Sequence, residues 1–204
     1  MREPSILPSV DLARLSADLV AGKRASLLWN AYIERHHYLG HQLMPGAQLR
    51  YFVHCADTVV ACISFGASAW KTQPCDAAIG WSIEQRRRNL HLIVNNARFL
   101  ILPWIHCKNL ASRLLALVSR RLADDWHARY SYRPVLLETF VEKPRFLGTC
   151  YKAANSTRCI VTANPSKACG SIHSCPTTAA SSALDRSNLR SRTIPWPVSL
   201  KTSV

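Results

Sequence analysis

The stretch NNARFLILPWIHCKNLASRLL, residues 95–115, joins an apolar run to a helical pattern, and this junction decides the fold. The apolar run belongs to a predicted long strand over residues 91–102, because it is rich in Ile, Val, Leu and Phe. Asn95 and Asn96 interrupt the run, which predicts a bulge there. Pro103 ends the strand, since proline cannot donate to a sheet ladder.

The helical pattern after the junction predicts a helix from Leu110 to Leu122, because apolar residues recur there at helical spacing. Asp124 and Asp125 follow. Negative charge is unfavourable at a helix C-terminus, so the predicted helix ends before them. The next segment, PVLLETFVE at residues 134–142, is a predicted strand. The order strand, helix, strand predicts a parallel pair of strands with a right-handed crossover.

The remaining segments predict three more helices and a β-hairpin. Residues 11–22 place leucines at helical spacing, and residues 27–40 also show a helical apolar side. β-Branched and aromatic residues at 49–55 and 58–67 predict the two strands of a hairpin, because only two residues separate them. A last short helix is predicted over residues 146–154.

The charge of the chain is its most unusual property. Its 204 residues include 26 Lys and Arg against 12 Asp and Glu, a formal net charge of +14. Such an excess predicts a polyanionic partner, nucleic acid first of all, although a solvated basic surface is the simpler alternative. The candidate nucleic-acid-binding residues are Arg86, Arg87, Arg88, Arg113, Arg120 and Arg121.

The eight cysteines do not form the pattern of a zinc site or a disulfide scaffold. No Cys-x-x-Cys pair occurs, so we expect no metal, and buried free thiols in a reducing compartment are the default. No apolar run approaches the roughly 20 residues of a membrane span, and no signal peptide is recognisable. The sequence therefore predicts a cytoplasmic protein with no membrane partner.

The composition changes abruptly at Ser156. Residues 156–204 are about one third Ser and Thr, carry Asp185 as their single acid and lack a sustained period. Such a segment cannot bury enough apolar area to offset its ordering entropy, which predicts a disordered tail. A reading-frame shift near Asn155 is the alternative explanation of the same break.

Seven motifs within residues 26–155 together resemble the DUF4338 family. In chain order they are ERHHYLG, LRYFV, IGW, NNARFLILPWIHCKNLAS, RRLADDW, PVLLETFVE and FLGTCYKAAN. That family includes the Druantia anti-phage protein DruA and proteins encoded near transposases. Its members usually continue with Trp after the last Asn, whereas Ser156 follows Asn155 here. The resemblance implies an accessory protein of a defence system or mobile element that acts on or near DNA.

The order of the predicted elements resembles the GNAT acyltransferase-like fold. It implies an α/β protein with a mixed sheet flanked by helices, lacking the last strands of that fold. The predicted organisation is an N-terminal extension and helix at 1–25, a DUF4338-like domain at 26–155 and a tail at 156–204 that is disordered or out of frame.

The turn before the predicted helix resembles, in a degenerate form, the GNAT loop that holds the pyrophosphate of acetyl-CoA. Where that loop reads Gln/Arg-x-x-Gly-x-Gly/Ala, this chain has His106, Asn109 and Ala111. Asn tolerates positive φ and Ala is small, so the backbone retains an anion-binding shape, to which Lys108 adds charge. A plain N-cap at Asn109 is the alternative. The candidate anion- or cofactor-binding residues are His106, Lys108, Asn109, Leu110, Ala111 and Ser112.

Two residues are candidate catalytic groups. The resemblance to GNAT enzymes implies that Tyr151 occupies the position of their general acid, and a tyrosine packed against the sheet is the alternative. Glu138 is a lone carboxylate on an apolar strand, so it needs either a structural partner such as Arg98 or a functional role.

These observations favour a nucleic-acid-binding accessory protein without a cofactor, with other defence-system or mobile-element proteins as partners. The rival is a CoA-dependent acyltransferase of the GNAT type, which would take acetyl-CoA. A truncated, non-functional remnant of a transposon-linked gene is the third alternative. The absence of both loop glycines favours the binding protein over the enzyme.

Overall fold

The structure is a computed structural model that describes residues 10–68, 80–141, 148–154, 158–159 and 170–174. Within these ranges the helices are α1 (Gly22–His36), α2 (Ile83–Asn89), α3 (Leu110–Tyr130) and α4 (Thr149–Ala153). The strands are β1 (Leu15–Leu19), β2 (Gln48–Cys55), β3 (Thr58–Ala67), β4 (Ile93–Ile101), β5 (Leu136–Phe140), β6 (Arg158–Cys159) and β7 (Gly170–Ser174). Short 3-10 turns occupy Leu12–Arg14 and Leu90–Leu92. No helix in the described part of the chain has the length and apolar character needed to cross a membrane.

The strands form one mixed sheet in the order β1-β2-β3-β4-β5-β7-β6. The first four strands pair antiparallel, β4 and β5 pair in parallel, and β5, β7 and β6 pair antiparallel again. The parallel pair confirms the strand, helix, strand unit predicted around the junction, because the long connection through α3 lets β5 run in the direction of β4. The chain is therefore a mixed α/β protein with helices flanking a sheet, as predicted.

Helices α1 and α3 pack on opposite faces of the sheet. Tyr51 of β2 donates its hydroxyl hydrogen bond to Asp125 of α3 at 2.9 Å. The ring of the next residue, Phe52, lies edge-on to Tyr32 of α1, with the ring centroids 6.3 Å apart. Successive strand residues point to opposite faces, so α3 covers the face of Tyr51 and α1 the face of Phe52. We call these the α3 face and the α1 face.

The predicted hairpin and bulge are confirmed. β2 and β3 pair antiparallel across a two-residue turn. In the β3–β4 pair, Ser64 lies opposite Arg98 and Phe65 lies opposite Asn96. Ala97 is therefore the extra residue of a β-bulge, one position beyond the predicted pair of asparagines.

The helix predicted over residues 11–22 is wrong. After a short 3-10 turn, Leu15–Leu19 forms β1, which pairs antiparallel along β2. This pairing satisfies the backbone groups at the edge of β2, and the tertiary gain outweighs the local helical spacing of the leucines. Gly22, with a φ of 78°, begins α1 instead of ending a helix, and α1 ends at His36 rather than at residue 40.

Helix α3 continues past its predicted end at Leu122 and runs to Tyr130. Asp125, one of the two acids that suggested the earlier end, is paired with Arg121 at 2.7 Å, and Trp126 directly after it is fully buried. Burial of a large apolar side chain contributes about 1.5–3 kcal/mol, whereas an acid near a helix C-terminus costs about 0.3–1 kcal/mol. Packing therefore decides where the helix ends.

Two strands, β6 and β7, lie beyond Asn155, where the sequence predicts a disordered tail and a sheet without its last strands. β7 pairs with β5, and β6 pairs with β7. The prediction is corrected at these two segments, because an extended segment of any composition can satisfy the open edge of β5 with backbone hydrogen bonds. The rest of residues 156–204 lies outside the described residues. So do the first residues of the short helix predicted at 146–154, whose described part is α4.

The described cysteine side chains are free thiols, as predicted. They are Cys55, Cys62, Cys107 and Cys150. Cys62 is fully buried, and burial raises the pKa of its thiol. A thiol kept protonated in a core is a poor nucleophile and a poor metal ligand, so Cys62 serves packing.

Candidate functional site

The turn between β4 and α3 has the backbone shape that the sequence predicts. Asn109, immediately before α3, adopts the left-handed conformation with a φ of 62°. Asparagine tolerates this region better than most residues, so it can stand where a glycine would otherwise be needed. Its side chain makes no capping hydrogen bond, so the alternative of a side-chain N-cap is wrong. Ser112 instead donates its hydroxyl hydrogen bond to Asn109 O at 3.0 Å.

The side chains of this turn divide between solvent and core. His106, Lys108 and Asn109 are exposed, whereas Leu110 is buried in the core. The half-buried residues are Ala111 and Ser112. The N–H of Leu110 donates to Cys107 O at 3.4 Å, which removes one donor from the helix N-terminus. An anion at this turn could therefore contact the side chains of Lys108 and His106. The helix N-terminus would add a charge effect of about 0.3–1 kcal/mol.

Tyr151, the predicted general acid, lies in the core on the α3 face. Its side chain packs with Leu115 and Val141, and its ring lies edge-on to Phe99 at 6.3 Å. The hydroxyl donates a hydrogen bond to Asn96 Oδ1 at 2.8 Å. This is the packed position that the sequence analysis gave as the alternative, and proton donation to a substrate would require that hydrogen bond to open.

Glu138, the other predicted catalytic residue, lies on the opposite face. It is fully buried on β5, and its Oε1 accepts a hydrogen bond from the Ser68 hydroxyl at 2.6 Å. In the β4–β5 pair Glu138 lies opposite Asn95, one position before the Asn96 that binds Tyr151. Because adjacent strand residues alternate between faces, the sheet separates Glu138 from Tyr151, and the two cannot act on one reacting atom.

The ion pair suggested between Glu138 and Arg98 does not form. Arg98 Nε donates to Gly40 O at 3.2 Å, and Arg98 Nη1 donates to Ala97 O at 2.8 Å. The register explains the difference, since Arg98 lies in the cross-strand row of Ser64, whereas Glu138 lies in the next row. Arg98 is thus held by backbone carbonyls of the bulge and of the turn after α1.

The arginine run in α2 is only partly within reach of a partner. Arg86 is 7% exposed, so its guanidinium cannot meet a surface ligand. Arg88 pairs with Glu84 at 2.6 Å, one helical turn away. Arg87 is exposed. Of the run, Arg87 is the residue best placed for a phosphate contact.

On α3, two of the predicted arginines face solvent and the third serves the fold. Arg113 and Arg120 are exposed and lie seven residues apart, on the same side of the helix. Arg121 pairs with Asp125 at 2.7 Å and also donates to Ala17 O of β1. The hydrogen bond to Asp125 raises the pKa of Arg121. Arg121 thus fastens α3 to the edge strand.

A row of polar side chains on the α1 face was not predicted from the sequence. Arg50 of β2 lies opposite Ser64 of β3, and Ser64 lies opposite Arg98 of β4. Residues directly opposite one another on neighbouring strands point to the same face. We call these three residues the arginine row. The available signal was an arginine in the middle of each of two otherwise apolar strands.

A cavity of about 210 Å³ lies beside the arginine row, between α1, β2 and residues 41–44. Arg50 and Arg98 both line it, together with Trp29 and Asn30 of α1. It is a concave site with two cationic side chains, and it is separate from the turn before α3.

Comparison with known families gives a match over most of the chain. The matching family model is described as Druantia protein DruA, and it covers residues 8–187. The match includes every helix and strand described above, β6 and β7 among them. No curated protein matches the chain.

Proposed function

The chain belongs to the DruA family of Druantia proteins, and we propose that it acts in anti-phage defence by binding nucleic acid through an exposed basic surface. The family match supports the association with Druantia defence, and it favours other proteins of such a system as partners. The nucleic-acid role rests on the charge of the chain itself, which the family match does not address.

The observation that carries this role is the excess of basic over acidic residues. With 26 Lys and Arg against 12 Asp and Glu, even complete one-to-one pairing would leave the formal excess of +14. Such an excess cannot be neutralised inside the molecule, so it acts outward as a positive field. Phosphate backbones respond to that field without any need for sequence readout.

Helix α3 supplies the surface that we assign to this contact. We call Lys108, Arg113 and Arg120 the α3 basic surface, and all three side chains are exposed. Seven residues of helix separate the two arginines, a rise of about 10 Å, which is roughly three phosphate steps along one DNA strand. The helix N-terminus adds a partial positive charge next to Lys108.

A binding role fits the described residues better than acyl transfer does. Acyl transfer by the predicted residues would need Glu138 and Tyr151 to face one substrate, and they lie on opposite faces of the sheet. The Tyr151 hydroxyl is already engaged with Asn96 in the core. For these reasons the acyltransferase stays the second hypothesis.

The test measures binding of fluorescein-labelled single- and double-stranded DNA by anisotropy over a series of salt concentrations. We expect affinity to fall linearly on a log–log plot, with a slope of about −0.7 to −0.9 per phosphate contacted. The double variant Arg113→Gln/Arg120→Gln should flatten the slope by roughly 1.5–2.

A matched control is Lys23→Gln/Arg24→Gln, which removes the same charge from the exposed start of α1. It should change the slope by much less than the α3 variant. Equal effects of the two double variants would remove the assignment to α3, and absence of DNA binding at low salt would refute the nucleic-acid role altogether.

A further inference from the structure

The arginine row has the geometry of a built anion site. Two strand spacings separate Arg50 from Arg98, which places their Cα atoms about 10 Å apart with Ser64 between them. Both arginine side chains line the same cavity. The two side chains therefore bring two positive charges to the lining of one cavity.

Among the described residues, the partners that orient Arg50 are neutral. Its Nη1 donates to Asn30 Oδ1 and its Nη2 donates to Ser26 Oγ, each at 2.9 Å. Its guanidinium carbon lies 5.5 Å from the ring centre of Trp29. These contacts fix the side chain without neutralising it, because an amide, a hydroxyl and an indole carry no negative charge.

Arg98 is more deeply buried and is also held by neutral groups. It is 9% exposed, and its hydrogen bonds go to the carbonyl oxygens of Gly40 and Ala97. Among the residues that the structure describes, no carboxylate forms an ion pair with Arg50 or Arg98. Two positive charges thus line one cavity without an ion pair to any carboxylate of the described residues.

Ser64 lies between the two arginines in the arginine row, but it is not among the residues that line the cavity. Its side chain is fully buried, and its Oγ has no hydrogen-bond partner within the described ranges. The charged groups on the cavity lining are therefore the two guanidinium groups.

The electrostatics of the cavity favour an anion of more than one charge. Burial lowers the pKa of Arg50, and the nearby Arg129 lowers it further. Burial also lowers the pKa of Arg98. Both guanidinium groups stay protonated near neutral pH, so each brings a positive charge to the cavity lining, and an anion in the cavity offsets the cost of burying that charge.

From these observations we propose that the cavity binds a phosphate group through Arg50 and Arg98. Two guanidinium groups match the charge of about −1.5 to −2 on a phosphate monoester, whereas a carboxylate would leave one of them without a counter-charge. The cavity is smaller than the roughly 300–1,000 Å³ of sites for drug-sized ligands, which suits a phosphate rather than a whole cofactor.

The phosphate has two sources, a free nucleotide or the 5′ end of a nucleic acid strand. The site lies on the α1 face and uses none of the residues of the α3 basic surface. It therefore does not rest on the function proposed for that surface, and each can fail without the other.

The first test uses the whole chain without substitution. Protein labelled with ¹⁵N-arginine is titrated with inorganic phosphate, and the side-chain Nε–H signals are followed by NMR. We expect saturable shifts of the Arg50 and Arg98 signals while the signal of exposed Arg14 stays in place. A titration that leaves both signals unmoved, or that moves all arginine signals together without saturation, overturns the proposal.

The second test compares variants by calorimetry with inorganic phosphate. Arg50→Gln should lower the affinity at least about tenfold. The matched control Arg14→Gln removes the same charge from the exposed 3-10 turn before β1 and should leave the affinity within about twofold. Equal losses in Arg50→Gln and Arg14→Gln would indicate general attraction and would contradict a built site.

Arg50→Lys provides a second variant if Arg50→Gln fails to fold, as judged by circular dichroism. Lysine keeps the charge but lacks the planar fork of donors, so the affinity should fall several-fold and not vanish. An affinity equal to that of the unsubstituted chain would contradict the assignment of the guanidinium as a ligand.

The two sources are separated by three further probes. They are thymidine 5′-monophosphate and one oligonucleotide carrying either a 5′-phosphate or a 5′-hydroxyl. A preference for the phosphorylated strand that Arg50→Gln abolishes assigns the site to a strand end. Equal binding of the two strands, with Arg50-dependent binding of the mononucleotide, assigns it to a free nucleotide. If no probe shows dependence on Arg50, the site is refuted.

Discussion

The two faces of the sheet treat charge differently. On the α3 face, Arg121 is neutralised by Asp125, which also accepts the hydrogen bond of the Tyr51 hydroxyl. On the α1 face, the acceptors of Arg50 and Arg98 among the described residues are neutral. The charge of Arg121 on the α3 face thus fastens a helix to the sheet. The charges of Arg50 and Arg98 are oriented by their contacts in the described part of the chain but not neutralised there, which is the condition that an anion site requires.

The two faces of the sheet also differ in how tightly they are packed. The α3 face is filled by large buried side chains of the helix, namely Leu114, Val118, Leu122 and Trp126. The α1 face contains the cavity beside the arginine row. If the comparison holds, substitutions on the α3 face change stability, and substitutions in the arginine row change ligand binding.

The largest stability effect is expected from Trp126→Ala on the α3 face. Trp126 is fully buried, and its ring lies 5.1 Å from that of Tyr130 and 6.3 Å from that of Tyr132. Removing it leaves a cavity that the helix cannot close, so the free energy of unfolding in urea should fall by about 3–5 kcal/mol.

Leu43→Ala is the control for this measurement, since Leu43 is 90% exposed and should change stability by less than about 0.5 kcal/mol. A loss below about 1 kcal/mol for Trp126→Ala would mean that the α3 face is not the main source of stability. That result would contradict the conclusion that substitutions on the α3 face mainly change stability.

The fold could be predicted where residues decide structure locally. The hairpin, the bulge in β4 and the start of α3 follow from alternation, an interrupting pair of asparagines and helical spacing. The end of α3 could not be predicted, because it depends on the burial of Trp126 and on the ion pair between Asp125 and Arg121. Three strands, β1, β6 and β7, form because they hydrogen-bond to the free backbone groups of a neighbouring strand. No local sequence pattern predicts such pairing.

The site was predictable to a smaller extent for the same reason. The positive φ at Asn109 follows from residue type and position alone. The arginine row requires the register of three strands, and the bulge at Ala97 shifts that register by one residue. The sequence alone does not give this register. It therefore suggested Glu138 as the partner of Arg98, which is wrong, and it did not show that Arg98 and Arg50 lie on the same face.

A smaller stability effect is expected from Asp125→Ala, compared with Asp124→Ala at the next position of α3. The Asp125 side chain is 17% exposed and holds Arg121, whereas Asp124 is 48% exposed and pairs with Arg133. Loss of Asp125 leaves a partly buried guanidinium and the Tyr51 hydroxyl without their acceptor, which should cost about 2–3 kcal/mol.

Asp124→Ala should cost less than about 1 kcal/mol, because exposed ion pairs contribute little. Urea unfolding of the two variants gives the comparison directly, since they change the same charge in the same turn of helix. Equal costs would show that the pair with Arg121 is an ordinary surface contact and that the α3 face does not depend on neutralised charge.

The smallest effect is expected from pH, through His91 in the 3-10 turn before β4. Its ring lies edge-on to Tyr132 at 5.6 Å. Burial lowers the pKa of His91 below its ordinary value of 6.5, and a backbone hydrogen bond with Arg88 opposes part of that shift. As the pH falls, the unfolded chain therefore takes up a proton at His91 before the folded chain does.

Stability from this group is complete above pH 6.5 and is lost as the pH falls from there through the folded pKa. His91→Gln removes the titration, so between about pH 7.5 and about pH 5.5 it should lose less stability in urea than the unsubstituted chain does. The difference should stay below about 1 kcal/mol, because the half-buried ring is partly screened by solvent. Equal losses in both proteins would mean that burial does not disfavour the charged imidazole of His91 and that this part of the core tolerates a positive charge.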